Sequence, residues 1–216
     1  MSTEWPEVRP ALILGSGGHA AVVLAALQAA TAAVAGLLDS DPLRHGAKVL
    51  GIDVLGGDEF AESGNPSEFV LVNGIGGVSN TDQRRGVFEK FTALGFQFPA
   101  IVHPSAIGAN VAQLGNGVQV MAGAVLQPHT RIGDNSVVNT GALVDHDCTL
   151  GDHVHIAPGV TLSGGVSVGS RTMIGAGATV IQNVVVGEGA FVAAGATVVS
   201  DVDAGTRVGG TPSRKF

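Results

Sequence analysis

A six-residue repeat in the C-terminal half of this chain limits the folds that it can form more than any other feature. Every sixth position from Leu114 to Val198 is aliphatic, and the fourth residue after each of these fifteen positions is small, from Val118 to Val202. An α-helix of period 3.6 or an alternating hairpin would lose this register within two repeats. The repeat therefore predicts a parallel β-helix, with three units in each coil and about five coils.

The two rows have different places in such a coil. The aliphatic row fills the axis, and the small row fits against the corners, where glycine and asparagine supply unusual backbone angles. These corners account for much of the 33 glycines in the chain. The single cysteine, Cys148, stands in the small row, so we interpret it as a packing residue rather than a nucleophile. A single cysteine also excludes an intrachain disulfide.

Residues 11–100 do not follow the repeat and alternate between strand and helix signals. Strands are predicted at residues 11–14, 34–38, 69–72 and 97–102, and helices at residues 19–30 and from a Thr81 cap to about residue 94. This order predicts a small parallel α/β sheet of the mononucleotide-binding kind, half of a Rossmann-like fold. With the boundary near His103-Pro104, the predicted domains are residues 1–102 and 103–216.

The turn after the first strand has the form of a dinucleotide-binding motif. Its sequence, Gly15-Ser16-Gly17-Gly18-His19-Ala20, matches G-x-G-x-x-A, and Asp39 follows at the end of the second strand. Such a turn lets backbone N–H groups at a helix N-terminus approach phosphate oxygens. About ninety residues are too few for both halves of an NAD site, so a nucleoside diphosphate, or a sugar linked to one, fits better. A tight turn without a ligand is the remaining alternative.

An Asp-His-Asp step occurs inside the repeat at Asp145, His146 and Asp147. A neutral imidazole, with a reference pKa of ~6.5, can take the proton that an amine loses as it attacks a thioester. Either neighbouring carboxylate could fix the tautomer and stabilise the imidazolium. The step therefore points to acyl transfer with His146 as general base. The alternative is a solvated corner histidine, and this alternative is stronger for His155, nine residues later.

Other partners fit the sequence less well. His146, His153 and His155 lack the pair of ligands five residues apart that coil-shaped carbonic anhydrases use, so no metal is expected. The net charge of −7 argues against nucleic acid or an anionic membrane as partner. No apolar run approaches the ~20 residues of a spanning helix, and residues 1–10 lack a signal peptide. A cytoplasmic protein is therefore expected.

Five stretches carry a family resemblance. They are Gly-Ser-Gly-Gly-His-Ala-Ala-Val-Val from Gly15, Gly-Leu-Leu-Asp-Ser-Asp from Gly36, Asn-Gly-Ile-Gly from Asn73, Val-Asn-Thr-Gly-Ala-Leu-Val-Asp-His-Asp-Cys from Val138, and Val-Gly-Gly-Thr-Pro-Ser-Arg-Lys from Val208. In order and spacing they resemble the sialic acid O-acetyltransferase branch of the hexapeptide acyltransferases. That branch includes PglD-like N-acetyltransferases of nucleotide-linked 4-amino-4,6-dideoxysugars.

The resemblance implies a left-handed β-helix, acetyl-CoA as the donor, and a homotrimer with active sites between neighbouring coils. It implies acetyl transfer to the 4-amino group of a sugar of the UDP-bacillosamine-precursor or GDP-perosamine type, for surface glycan synthesis. The nucleotide and the sugar epimer stay open. An O-acetyltransferase acting on a free sugar such as sialic acid is one alternative. A non-catalytic sugar-nucleotide sensor or scaffold is another.

The resemblance also assigns residues. It makes His146 the general base and Asp147, rather than Asp145, the acidic residue beside it. The tail departs from the commoner Gly-x-Pro-Ala-Lys, but its basic side chains remain available to the phosphates of CoA. The acetyl-CoA site is implied at Asn139, His155, Gly175, Arg214 and Lys215. The nucleotide-sugar site is implied at Gly15, Gly17, Gly18, His19, Asp39, Asp41, Asn73, Gly74 and Gly76.

Overall fold

The computed structural model of the protein describes residues 9–77 and 80–215. Its N-terminal part is a five-stranded sheet with helices packed on it. The elements are β1 (Ala11–Leu14), α1 (Gly18–Ala29), β2 (Val34–Leu38), a 3₁₀ turn (Pro42–Arg44), β3 (Lys48–Val49), β4 (Ile52–Gly56), α2 (Asp58–Glu62), β5 (Val70–Asn73) and α3 (Asp82–Ala93). The strand order in the sheet is β3-β4-β2-β1-β5.

The central strand β1 explains the parallel sheet. All four of its residues are apolar and buried, as expected for a strand covered on both faces. It pairs in parallel with β2 on one side and with β5 on the other. The predicted small parallel sheet is thus confirmed, whereas the antiparallel β3–β4 pair and α2 were not predicted. Thr81 precedes α3 as predicted, but its side chain makes no cap hydrogen bond.

The C-terminal part is a three-sided parallel β-helix of fifteen two-residue strands, and all but the last three pair with the strand eighteen residues later, as Val137 does with His155. The strands are β7 (Gln113–Leu114), β8 (Gln119–Val120), β9 (Val125–Leu126), β10 (Arg131–Ile132), β11 (Val137–Val138), β12 (Leu143–Val144), β13 (Thr149–Leu150), β14 (His155–Ile156), β15 (Thr161–Leu162), β16 (Ser167–Val168), β17 (Met173–Ile174), β18 (Thr179–Val180), β19 (Val185–Val186), β20 (Phe191–Val192) and β21 (Thr197–Val198).

Three sheets form the faces of this coil. Face 1 contains β7, β10, β13, β16 and β19, and face 3 contains β9, β12, β15, β18 and β21. Face 2 contains β8, β11, β14, β17 and β20 and is extended at both ends by β6 (Ile101–Val102), β22 (Arg207–Gly209) and β23 (Arg214–Lys215). A 3₁₀ turn (Ala109–Val111) precedes β7. Five stacked coils therefore confirm the predicted β-helix.

Both rows of the repeat occupy the interior. The aliphatic positions are buried except for Leu114 at the open end, which is partly buried, and every position of the small row is buried. Backbone φ is positive, between 55 and 72°, at every sixth residue from Gly117 to Gly195. Glycine and asparagine fill most of these corners as predicted, but Asp147 and Arg171 also adopt this conformation.

The two parts share packing. Ile101 and Met121, from the coil, belong to the apolar cluster of the N-terminal sheet. We predicted residues 97–102 as a strand of that sheet, but β6 pairs with β8 in face 2 instead, because the chain has already crossed to the coil. The division into residues 1–102 and 103–216 stays an interpretation.

No helix in the described part of the chain is long and apolar enough to cross a membrane. The predicted absence of a signal peptide concerns residues 1–10, of which residues 1–8 lie outside the described part of the chain.

Candidate active site

A cleft of about 720 Å³ lies between the carboxyl ends of the N-terminal strands and face 2 of the coil. Parallel α/β sheets bind ligands at this edge, at the point where the strand order reverses. Here that point is β1, because the chain continues to β2 on one side of it and to β5 on the other. Seven of the nine residues assigned to the nucleotide-sugar line the cleft, together with two of those assigned to acetyl-CoA. They are Gly15, Gly17, Gly18, His19, Asp39, Gly74 and Gly76, with Asn139 and His155.

Glycines keep the floor of the cleft open. Gly15 has φ of 97°, and a Cβ added at Gly17 or Gly18 would meet nothing within 4 Å. A Cβ at Gly74 would lie 2.8 Å from Leu14 O, so only glycine at this position lets the loop after β5 pass close to β1. Helix α1 begins at Gly18 with no side-chain cap and no acidic residue in its first turn. Its free N–H groups therefore suit an anion.

Two neutral histidines from different parts of the fold meet at the cleft. Nε2 of His19 lies 2.8 Å from Oε1 of Gln119, and Nε2 of Gln119 donates to Asn73 O at 2.7 Å. The Gln119 amide thus fixes His19 as a donor at Nε2. Burial and the charge of Arg84 lower the pKa of His19 to about 4. Burial also lowers the pKa of His155 to about 3.

His155 is the buried polar group of the cleft on the coil side. It is 4% exposed, and its Nδ1 has no hydrogen-bond partner among the described residues. Its ring centroid lies 6.3 Å from that of His19. A buried ring nitrogen without a hydrogen-bond partner is unfavourable, and a ligand in the cleft could supply that hydrogen bond.

Asp39 organises the rim of the cleft. Its carboxylate accepts hydrogen bonds from the N–H and hydroxyl of Ser16 and from the N–H of Asp41. Burial opposes ionisation of Asp39, but these hydrogen bonds outweigh it and lower the pKa of the carboxyl. Arg44 donates from Nε to Ser16 Oγ at 2.6 Å, which closes the corner. Asp41 itself does not line the cleft, because its carboxylate accepts from Leu43 N in the 3₁₀ turn.

Asn73 also supports the cleft from behind rather than lining it. Its side chain is buried, and its amide donates to Arg84 O at 2.8 Å. Its Oδ1 accepts from Ile75 N at 3.1 Å, which fixes the loop that follows β5.

The exposed His146 lies at the corner between β12 and β13. Its Nδ1 is 2.7 Å from Asp147 Oδ2, while Asp145 Oδ1 accepts from the His146 N–H at 2.7 Å. Asp147 is thus the carboxylate that contacts the imidazole. This hydrogen bond and the charge of Asp145 raise the pKa of His146. The ring rests on Gly164 in the next coil, where an added Cβ would lie 2.7 Å from Nε2 of His146.

His146 does not reach the cleft of its own chain. It lies between face 3 and face 1, whereas His155 lies on face 2, which is the opposite side of a triangular coil. The structure therefore brings His155, Asn139 and His19 together and leaves His146 with Asp147 apart from them.

Comparison with known proteins agrees with this architecture. Residues 11–91 match the PglD N-terminal domain, and residues 111–146, 129–164 and 165–200 match the bacterial transferase hexapeptide (six repeats). The structure resembles PerB from Caulobacter crescentus, solved in complex with CoA and GDP-perosamine, at 37% identity over 97% of this chain and 98% of that one, with a TM-score of 0.87. The chain belongs to the PglD-like branch of the hexapeptide acyltransferases.

One further structure supports the assignment to the PglD-like family, and another shows the same fold. The acetyltransferase domain of PglB from Neisseria gonorrhoeae FA1090, in complex with acetyl coenzyme A, is 36% identical over 96% of this chain and 99% of that one, with a TM-score of 0.89. WeeI from Acinetobacter baumannii AYE shares the fold at 24% identity, with a TM-score of 0.84 over 96% and 100% of the two chains. A comparison with curated proteins gave no match. The predicted family and left-handed β-helix are thereby confirmed.

The remaining assigned residues of this PglD-like chain lie elsewhere on the coil. Gly175 does not line the cleft, and a Cβ there would lie 2.5 Å from Ala194 N in the next coil. Arg214 and Lys215 form β23, exposed at the far end of face 2. Cys148 is buried, which raises the pKa of its thiol, and Sγ contacts Ser163 O at 3.3 Å. Within the described residues, no group of three metal-ligating side chains could hold an ion.

Sequence reasoning missed three residues that shape the site. Gln119 and Arg84 are buried beside the cleft, and Gly164 supports His146. Arg84 had a signal, because it stands at helical spacing with Phe88 and Phe91 on the buried stripe of α3. Gln119 and Gly164 had none, since their contacts join distant parts of the chain.

Proposed function

We propose that this chain transfers the acetyl group of acetyl-CoA to the amino group of a nucleotide-linked 4-amino-4,6-dideoxysugar. The observation that carries this proposal is the 37% identity, over nearly the whole of both chains, with an enzyme solved in complex with CoA and GDP-perosamine. This chain has a feature that suits each ligand of that relative. A glycine-lined cleft suits the nucleotide, and the exposed pair of His146 and Asp147 suits acyl transfer from the thioester of acetyl-CoA.

The nucleotide-sugar occupies the cleft in this proposal. Its diphosphate lies at the N-terminus of α1, where the glycine turn exposes N–H groups. The sugar extends toward face 2, where His19, His155 and Asn139 offer polar contacts. The unpaired Nδ1 of His155 supports this direction, because a ligand there removes the penalty of an unsatisfied buried nitrogen.

Acetyl-CoA runs along the coil from Asn139 and His155 toward the tail. The strands β14, β17, β20, β22 and β23 are consecutive in face 2, so four steps of ~4.8 Å separate His155 from the tail by about 19 Å. Arg214 and Lys215 at that end suit the phosphates of CoA. The thioester then lies near the cleft and the charged end near the tail.

His146 acts as general base in the proposed reaction. The sugar amine attacks the thioester carbonyl carbon, and Nε2 of His146 takes the proton as the tetrahedral intermediate forms. The carbon–sulfur bond then breaks, and the leaving thiolate receives a proton from the imidazolium. Asp147 holds Nδ1–H, which leaves the Nε2 lone pair free and stabilises the imidazolium.

A homotrimer completes the site in this proposal. The cleft of one chain lies opposite its own His146, so the base has to come from a neighbour. The outward row of face 3, next to the His146 corner, carries no charge and suits a subunit contact. Its members are Ile107, Val125, Leu143, Thr161, Thr179 and Thr197. We also propose a cytoplasmic location, where both substrates are made.

The test is a thiol-release assay with acetyl-CoA and GDP-, UDP- and dTDP-linked 4-amino-4,6-dideoxysugars. We expect one nucleotide series to react, with the product acetylated at nitrogen. Matched 4-hydroxy sugars and free sialic acid probe O-acetylation, and a reaction with these alone would contradict the proposal. Binding of both ligands without thiol release in any reaction would favour a sensor or scaffold.

A further inference from the structure

Arg84 lies beneath the cleft as a buried cation that has no counter-ion among the described residues. Its residue exposure is 1%. Nε donates to Asn135 O at 3.1 Å, and Nη1 donates to Asn73 O at 3.0 Å and to Ile75 O at 2.9 Å. Nη2 has no hydrogen-bond partner, and no carboxylate of residues 9–77 and 80–215 contributes to its pKa, which burial lowers to about 9.

A guanidinium in this position is unfavourable for the unliganded fold. Removing a charge from water costs several kcal/mol, and carbonyl hydrogen bonds offset only part of that. An apolar side chain would pack the same stripe of α3, as Phe88 and Phe91 do one and two turns later. An anionic ligand that binds in the cleft therefore best accounts for a charged residue at position 84.

A diphosphate in the cleft would have no cationic side chain of the described residues in direct contact. Among the described residues, the charged side chains that line it are Asp39 and Asp58. Asp39 lies 3.7 Å from Arg44 Nε, and Asp58 shares Lys90 with Glu62, each at 2.7 Å, so no cation paired with these acids is left over for a ligand. Both histidines are neutral at physiological pH. Arg84 is thus the cation beside the cleft that no carboxylate of the described residues neutralises.

We propose that Arg84 is a positioning residue that supplies the counter-charge for the diphosphate of the nucleotide-sugar. It acts through space from below the loop at residues 73–77, since its Nη2 is sealed from solvent. Its bonds to Asn73 O and Ile75 O also hold that loop at the edge of the cleft. This inference rests on the nucleotide-sugar site proposed above.

The field of Arg84 already reaches the cleft. Burial is the main cause of the lowered pKa of His19, and the charge of Arg84 is the second. For His155, burial comes first, the charge of His19 second and the charge of Arg84 third. As a general magnitude, two unit charges about 7–10 Å apart at an effective dielectric of about 20 interact strongly enough to change an affinity roughly 10–100-fold. A neutral nucleoside in the same cleft is unaffected by this term.

The first experiment compares Arg84→Met with Arg84→Lys in the full-length protein. Titration calorimetry measures the affinities for UDP, GDP, uridine and guanosine, and the ratio of diphosphate to nucleoside affinity is the readout. We expect that ratio to fall at least about tenfold in Arg84→Met and to stay within about threefold of the wild type in Arg84→Lys. A purely structural role lowers both affinities together and leaves the ratio unchanged. Arg85→Gln, at a neighbour paired with Asp82, is the control.

A second variant keeps Arg84 and its hydrogen bonds. Thr81 is buried one helix turn before Arg84, at the cap position of α3, and its Oγ1 has no hydrogen-bond partner within residues 9–77 and 80–215. Thr81→Asp adds a carboxylate three residues before Arg84, a helical spacing that makes the two positions neighbours, and aspartate is a favoured cap residue. We expect diphosphate affinity to fall about tenfold while nucleoside affinity holds. Thr81→Asn, which has nearly the same shape without the charge, should match the wild type.

An unchanged ratio of diphosphate to nucleoside affinity in Arg84→Met would overturn the proposal. If Arg84→Met does not fold, an unchanged ratio in Thr81→Asp would overturn it in the same way. Failure of the wild type to bind either diphosphate more tightly than its nucleoside would overturn the nucleotide-sugar site as well. The two failures are therefore distinct.

Discussion

At the scale of single residues, Asp147 sets the ionisation of His146. Their hydrogen bond is the main reason that the pKa of His146 is raised, and Asp145 adds to it. A base must be neutral to accept a proton, so activity is lost as pH falls through this pKa, starting above the reference value of ~6.5. For Asp147→Asn we expect the acidic limb of kcat/KM to move to lower pH. The plateau should fall by at least about tenfold, because the tautomer is no longer fixed.

Profiles of kcat/KM between pH 5 and 9 check this prediction. Asp145→Asn is the matched control, because Asp145 accepts from the backbone N–H of His146 rather than from the ring. It should shift the limb less and keep the plateau. If the acidic limb of kcat/KM lies at the same pH in Asp147→Asn and in the wild type, a group other than His146 controls that limb.

Gly164 sets the position of the same ring. A Cβ there would lie 2.6 Å from Cε1 of His146, and the backbone of Gly164 does not need a positive φ, so alanine fits everywhere except against the imidazole. We expect Gly164→Ala to lower kcat about 10–10²-fold with little change in the KM for the nucleotide-sugar. Ser163→Ala, one residue earlier, should have normal kcat. A normal kcat in Gly164→Ala would show that the ring tolerates displacement.

Sequence alone identified the residues that local patterns specify. His146 and Asp147 stand out because a polar step interrupts a regular repeat, and the hydrogen bond between them needs only neighbouring positions. Gly164 stayed hidden because eighteen residues separate it from His146, and many glycines in the repeat look alike. Arg84 could have been noticed from its place on the apolar stripe of α3, but its bond to Asn135 in the coil could not.

At the scale of elements, one column of glycines sets the stacking distance of the coils. An added Cβ at each of these glycines would lie closer than 3.0 Å to the backbone of the next coil, although φ is not positive there. The column consists of Gly115, Gly133, Gly151, Gly169 and Gly187. Their need for glycine is therefore steric. By contrast, a Cβ at the corner Gly177 would meet nothing, and its constraint is the backbone angle alone.

The column makes a stability prediction. Gly169→Ala forces the backbone at Glu188 away and should lower the free energy of unfolding by about 3 kcal/mol. Gly86→Ala is the control, because a Cβ inside α3 meets nothing and alanine is the better helix former by about 1 kcal/mol. Urea titration at constant m-value measures both changes. A loss below about 0.5 kcal/mol in Gly169→Ala would mean that the coils can separate locally.

Elements whose pattern is long or wholly apolar were predictable. The bounds of β1 and β2 agree with the predicted residues 11–14 and 34–38, because both strands are apolar runs that end at glycine or aspartate. The β3–β4 pair was missed because β3 has only two residues and no alternation to detect. β6 was assigned to the wrong sheet, since its partner in face 2 is decided by tertiary packing.

At the scale of the whole molecule, the proposed active-site residues lie on opposite sides of one chain. His19 and His155 line the cleft on face 2, while His146 projects from the corner between faces 3 and 1. In a ring of three chains each interface is the same and joins two different surfaces. Such a ring can bring the His146 corner of one chain to the cleft of the next. Leu143→Glu, on the uncharged row of face 3, should therefore weaken the proposed trimer in sedimentation, and Thr149→Glu on face 1 should not.

Mixing two inactive variants tests whether the site is shared. His146→Ala removes the base but keeps a complete cleft, and His155→Ala damages the cleft but keeps the base. When equal amounts exchange subunits, a cleft with intact His155 meets a neighbour with intact His146 at one interface in four, so about a quarter of wild-type activity should return. Neither variant alone should regain activity under the same exchange conditions. If each cleft used the base of its own chain, every mixed site would still lack one histidine, and the mixture would stay as inactive as its parts.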